Sequence, residues 1–413
     1  MENYSVVIFI MAIMIALTAI ADKIKLPYPI LLITAGIGIG FIPSMPNIEL
    51  SPKVVFLLFL PPLLYDAAFN ISFKDFKTHI NTIGTLSIGL VFLTTTGIAV
   101  TAHYLIDGMS WPLSFVLGAI LSATDAVAAI GITKGLGLSH KSITILEGES
   151  LVNDASALVA YRFAVAAVTG SAFIWWKASL EFLVLMAGGL LVGIVLGKIL
   201  TYILRLVHHD ILVTISFIIL MPFVTYLVAE EIGVSGVIAV VTIGLSISRI
   251  SRKIFPENLK QQSRTIWDII VFLLNGLIFI LIGLEFPYVL KNIEEHQILP
   301  YIGYAFLITV VALGLRMARV FLQKINLQRA FQSKKRKIPE DALLDFSNSL
   351  IISWSGMRGI VSLAIAIGLP ATLKDGTPFP LRHDIIFIAV VVVLFTLLGQ
   401  GLTLPWVVKK LKQ

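Results

Sequence analysis

Thirteen apolar runs, each closed by charged or turn-forming residues, set the limits on what this chain can fold into. They lie near residues 4–21, 28–44, 53–69, 82–106, 112–130, 148–170, 179–206, 211–230, 234–250, 266–288, 299–324, 344–370 and 385–408. A helix needs about 20 apolar residues to cross the hydrocarbon core of a bilayer. Inside that core the backbone must satisfy its own hydrogen bonds, so runs of this length predict helices. The mean hydropathy of +0.95 points the same way. Only 13% of residues are charged, against about 25% in a typical soluble domain. The expected class is an all-α polytopic membrane protein, with residues 1–413 as a single membrane domain and no soluble regulatory tail.

The first run, near residues 6–21, ends in Ala19-Ile20-Ala21, which resembles a cleavage site. A secretory signal opens with a basic region. Here residues 1–5 carry Glu2 and neither Lys nor Arg, so the run reads as a first transmembrane helix. The absence of Cys excludes disulfides and thiolate metal sites.

Basic residues report orientation. Of 31 Lys and Arg, 21 fall in connections after odd-numbered runs or in the C-terminal tail, and five fall after even-numbered runs. Positive loops face the cytoplasm, which puts the N-terminus outside and the C-terminus inside, in the cell's inner membrane. An error of one run would scramble the separation, so the alternation also supports the count of thirteen. The net charge of +7 therefore lies on cytoplasmic loops near anionic lipid headgroups. This includes Lys334, Lys335, Arg336 and Lys337. No nucleic-acid partner is expected.

Two runs are interrupted where a helix should continue. The fifth reads Ser122-Ala123-Thr124-Asp125, with an aspartate at mid-depth, and the twelfth reads Gly356-Met357-Arg358-Gly359, with an arginine there. With the seventh run as a linker, thirteen divide into six plus six, and the two interruptions occupy equivalent positions. Paired broken helices in inverted halves mark a transporter's binding site at the midplane. Asp125 near half-helix N-termini and Arg358 near C-termini would offset the helix dipoles there.

The stretch Glu149-Ser150-Leu151-Val152-Asn153-Asp154 opens the sixth run. Ionisable groups within a membrane helix are rare and costly, and each is a functional hypothesis by default. At helical spacing Ser150 and Asp154 share one face, and Glu149 and Asn153 the neighbouring one. Carboxylate, hydroxyl and carbonyl oxygens are what hard alkali cations prefer. Burial penalises the charged form of a carboxylate, so protons and cations would compete for one group. With no phosphate-cradling Gly-rich motif in the sequence, ion gradients must drive any transport, and no cofactor is expected.

These three motifs together resemble the monovalent cation:proton antiporters, in particular the bacterial NhaP-type and animal sodium/proton exchanger branch. Weaker matches are Leu60-Pro61-Pro62-Leu63-Leu64-Tyr65-Asp66 and Gly233-Val234-Ser235-Gly236-Val237-Ile238-Ala239. The resemblance covers nearly the whole chain. It implies a homodimer of 13-helix protomers, each with a six-helix unit crossing at the two broken helices. It also implies that Asp154 carries the ion and the proton, that Ser150 and Thr124 add ligands, and that Asp125 sits at the crossing. Glu149 and Asn153 then brace the site, with Arg358 paired to Glu149, and Asn at 153 is associated with electroneutral exchange. The expected activity is exchange of Na⁺ (or Li⁺) for H⁺, with a K⁺/H⁺ antiporter and a cation channel as alternatives; an enzyme is not expected.

Other polar groups have plainer readings. Asp154 could be locked in a pair with Arg162, two turns on. Asp66 reads as an ion-entrance or structural residue, since the second aspartate of an intramembrane protease motif is missing. Glu230 and Glu231 read as solvated charges at the outer surface. Glu285, Lys198, Arg316 and Arg319 could serve a buried role or snorkel to the interface. His208 and His209 read as an ordinary loop pair rather than a pH sensor. The Gly188, Gly189, Gly193 and Gly197 spacings read as helix packing.

Overall fold

The computed structural model describes residues 2–24, 28–42, 52–133, 136–169, 175–207, 209–333, 339–373 and 375–411. The basic run at 334–337 and His208 lie outside the described residues. The helices, in chain order, are α1 (Glu2–Ile24), α2 (Tyr28–Gly40), α3 (Pro52–Asn70), α4 (Phe73–Thr78), α5 (Ile80–Gly84) and α6 (Leu90–Leu105). Next come α7 (Trp111–Ser122), α8 (Ala126–Ile132), α9 (His140–Val168), α10 (Trp175–Val207), α11 (Ile211–Glu231) and α12 (Gly236–Ile254). The last are α13 (Glu257–Lys291), α14 (Glu295–Gln332), α15 (Phe346–Trp354), α16 (Ile360–Ile367), α17 (Arg382–Thr396) and α18 (Leu402–Leu411). One π turn, Thr85–Gly89, joins α5 to α6, and another, Leu397–Gly401, joins α17 to α18.

Within the described residues each apolar run is helical, and the fifth and twelfth are each two half-helices. Eight helical stretches among the described residues are long and apolar enough, by length and composition, to cross a membrane. Helix α12 is set apart by Arg249, Arg252 and Lys253 in its last turns. Several helices outrun their apolar stretch. Helix α9 starts at His140 because Ser139 caps it, its side chain accepting from the Ser142 N–H, and helix N-termini favour such a hydroxyl. Asp210, Ser235 and Asp345 cap α11, α12 and α15 in the same way.

The helices sort into two packed groups. Helices α2, α3 and α10–α13 pack on one another, as do α5–α9 with α14–α18. The groups meet where α3 lies against α16, α13 against α16 and α17, and α3 and α12 against α9. Glycines set the closest crossings in the first group. A methyl on Gly36 of α2 would come within 2.9 Å of the Gly283 Cα on α13. Methyls on Gly189 and Gly193 of α10 would come within 2.6 Å of carbonyl oxygens of Ser235 and Ala239. The glycine spacing thus lets the α10 and α12 backbones touch, as small residues do between membrane helices. In the second group α7 is nearly enclosed, with every residue from Val116 to Ser122 buried.

Candidate ion site

The two broken helices cross, and their breaks hold each other. The first break is Ala123-Thr124-Asp125, between α7 and α8; the second spans residues 355–359, between α15 and α16. The Asp125 N–H donates to the Met357 carbonyl at 2.8 Å. Ser362 Oγ donates to the Ala123 carbonyl at 3.3 Å. Asp125 caps α8 by accepting from the Ala128 N–H at 3.0 Å, and its other oxygen faces the Ile360 N–H of α16 at 3.5 Å. One carboxylate therefore meets the positive ends of two half-helices, where negative charge is favoured.

The contact has no room to spare. A Cβ on Gly359 would collide with the Asp125 carboxyl group. Gly359→Ala should therefore lower thermal stability by about 1–3 kcal/mol or more, the range for an overpacked interior. Gly303→Ala, where an added methyl meets nothing within 4 Å, should leave the melting temperature of the purified protein unchanged. Equal melting temperatures for the two variants would mean the breaks are not packed this tightly.

Helix α9 supplies the remaining groups. Ser150 Oγ donates to the Thr124 carbonyl at 3.0 Å, and Asn153 Nδ2 donates to Thr124 Oγ1 at 2.9 Å. Thr124 Oγ1 in turn lies 3.4 Å from Glu149 Oε1, toward which it donates. The break of the fifth run is thus laced to α9 on both sides of Thr124. Asp154 is 8% exposed, and its Oδ1 has no hydrogen-bond partner within the protein. Asp154, Ser150, Thr124 and Asp125 line one cavity of about 60 Å³, large enough for a small ion. Asp66 and Asn275 also line it, and no Lys, Arg or His does. Glu149 and Asn153 are buried but lie outside that lining, which follows the division into two helix faces.

The arginine partner of Glu149 differs from the expectation. Arg316 on α14 grips Glu149 with both terminal nitrogens, one pairing with Oε1 and the other with Oε2 at 2.9 Å. Its Nε and Nη2 also donate to the Ile352 carbonyl near the end of α15, at 3.1 and 2.9 Å. Arg316 is 1% exposed. It therefore offsets both a buried carboxylate and the negative end of a half-helix. Arg358 turns back instead, donating from Nη1 to the Gly356 carbonyl at 3.0 Å, while its backbone N–H donates to Thr396 Oγ1 at 3.1 Å. The physical reason is reach. Gly356 admits the Arg316 side chain where any Cβ would collide with it, so Arg316 reaches Glu149 first.

Three further groups fall into place. Arg162 pairs with Glu230 on α11 at 2.7 Å, leaving Asp154 free of it, and Glu230 also accepts from the Gly236 N–H at 3.1 Å. Glu230 is thus a bridging charge rather than a solvated one. Asp66 lines the cavity and accepts from Asn70 Nδ2 at 3.0 Å. Asn275 was missed by sequence reasoning, because a lone amide in an apolar run of α13 gives no periodic or motif signal. Among the described residues, no group of three or more His, Cys, Asp or Glu could hold a metal ion. The cavity that Asp154 lines also holds the carboxyls of Asp125 and Asp66, the hydroxyls of Thr124 and Ser150 and the Asn275 amide, oxygen donors of the kind hard cations prefer.

The family described as "Sodium/hydrogen exchanger, transmembrane" matches residues 8–410. The chain is 36% identical over 99% of its length to the "Sodium, potassium, lithium and rubidium/H(+) antiporter" of Bacillus pumilus, spanning 62% of that protein. It is 32% identical to the Na(+)/H(+) antiporter NhaH of Halobacillus aidingensis, covering 98% of this chain and 97% of that one. The fold also matches the sodium proton antiporter MjNhaP1 from Methanocaldococcus jannaschii, with a TM-score of 0.76 at 22% identity, covering 100% of this chain and 99% of that one. Crossed broken helices, an acidic cavity at their junction and a match over almost the whole length lead to one assignment: the chain belongs to the transmembrane sodium/hydrogen exchanger family, a family of transporters and not of enzymes.

Proposed function

We propose that this protein is a secondary active antiporter that exchanges Na⁺ or Li⁺ for H⁺ across the cell membrane. The observation that carries the reading is Asp154, a buried carboxylate with an oxygen left unpaired by the protein, facing a cavity with no basic lining residue. A negative charge in such a place must be neutralised, by a cation or by a proton, and one group cannot hold both. Ser150 Oγ and the Thr124 oxygens lie beside it as further ligands, with Asp125 holding the crossing and Glu149 and Asn153 bracing it. Exchange follows if the α7–α9 and α15–α16 unit reorients only with Asp154 neutralised, moving against the group that contains α3 and α13. One cation for one proton at one carboxylate makes the cycle electroneutral. Alignment of the two halves as six-helix inverted repeats, an external N-terminus, a cytoplasmic C-terminus and a homodimer complete the proposal.

The relatives' names support this reading, with Na⁺ common to the Bacillus pumilus and Halobacillus aidingensis proteins. The test is purified protein in liposomes carrying a preformed pH difference. Added Na⁺ or Li⁺ should collapse the difference at a rate that saturates with cation and is unchanged by clamping the voltage. K⁺ should be less effective. Ion flux without coupled proton movement would replace the antiporter with a channel, and no flux at all would end the transport reading.

A further inference from the structure

Among the described residues with a buried polar side-chain atom lacking any partner, two line the cavity: Asp154 and Asn275. Asn275 is 3% exposed, and its Oδ1 meets no donor. The residue sits on α13, in the helix group opposite the one that carries Asp154. Val271, one turn earlier, lines the same cavity, so this face of α13 is turned to the ion site. The Tyr28 ring of α2 packs edge-on against Phe279, one turn after Asn275, and α2 is locked to α13 at Gly36 and Gly283. This stretch of α13 is therefore held from behind.

A buried amide oxygen without a donor is unfavourable. A hard cation in the cavity would satisfy it, since amide carbonyls are among the oxygens such ions accept. We propose that Asn275 contributes its Oδ1 to the transported cation from the opposing helix group, as a specificity-determining residue on one side of the transport cycle. This rests on the antiport reading above. Because Asn275 does not belong to the unit that holds Asp154, it can reach the ion only in the orientation described here. Its oxygen then tightens cation binding at one membrane face and leaves the other untouched. Protons, which need no coordination shell, gain nothing from it.

The experiment measures cation-driven exchange in liposomes with protein of one orientation selected, varying Na⁺ on each face separately. Asn275→Leu, close in shape and without the oxygen, should raise the apparent KM for Na⁺ about tenfold at one face. It should change KM less than twofold at the other and leave the maximal rate within twofold. Asn275→Asp keeps an oxygen and adds charge, and should lower the KM at that same face. If Asn275→Leu does not yield folded protein, Asn275→Asp decides alone. An apparent KM unchanged at both faces, or changed equally at both, overturns the proposal. A merely structural amide would reduce yield and maximal rate without this asymmetry. Failure of the unsubstituted protein to exchange at all would instead sink the antiport reading, so the two failures are distinguishable.

Discussion

Asp154→Asn should reduce Na⁺-driven collapse of a pH difference to the rate seen in protein-free liposomes, while the protein folds and melts nearly as before. The change keeps the size and polarity of the side chain and removes its charge. Nothing in the fold depends on that charge, because no basic group pairs with Asp154 among the described residues and its Oδ1 has no partner. An amide can neither release a proton nor neutralise a cation, so both halves of the proposed exchange are lost together. The same substitution should abolish any Na⁺-induced gain in thermal stability. Residual exchange at a tenth of the normal rate or more would mean that Asp125 or Asp66, which share the cavity, carries the ions instead.

Arg316→Ala should destabilise the fold by about 3–5 kcal/mol, the usual effect of removing one partner from a buried ion pair. It leaves Glu149 charged in an interior where both atoms of its carboxylate are held by that guanidinium. It also strips two hydrogen bonds from the Ile352 carbonyl at the end of α15. The loss should be partly reversed by adding Glu149→Gln, since the double variant no longer buries an unpaired charge. That non-additivity separates a coupled pair from two independent contacts. Arg358→Ala should be milder, because its side chain touches a carbonyl two residues away and no carboxylate. A melting temperature lower for Arg358→Ala than for Arg316→Ala would reverse the pairing described here.

The contrast between these two arginines marks how far the sequence could be read. Both breaks were legible, because polar and glycine residues interrupt runs that otherwise continue for twenty positions or more. The face shared by Ser150 and Asp154 followed from helical spacing alone, and both line the cavity. The helix-packing role of Gly189 and Gly193 was equally plain. The choice of Arg316 was not legible. Arg316 lies 167 positions from Glu149, in a helix that also holds Arg319, and spacing cannot rank the two. Packing decides: Arg316 is enclosed, whereas Arg319 lies near Gly89 on α6's preceding turn. Arg162 raised the same difficulty, since its distance from Asp154 along one helix suggested a pair that the approach of α11 diverts to Glu230. Asn275 lay beyond reach for another reason: a lone amide in an apolar run carries no periodic signal, and the cavity it lines is built by helices distant in sequence.

Asp125 acts as a rivet through two short rods. Its backbone holds the second break, and its carboxyl oxygens face the starts of α8 and α16. With α9 fastened to the same junction through Thr124, the pieces cannot slide past one another without unmaking several buried bonds at once. In the proposed exchange, the displacement that carries the ion leaves this knot intact and is taken up where it touches α3 and α13. The Arg162–Glu230 pair, which ties α9 to α11 across that boundary, is a link the same displacement has to carry along or break.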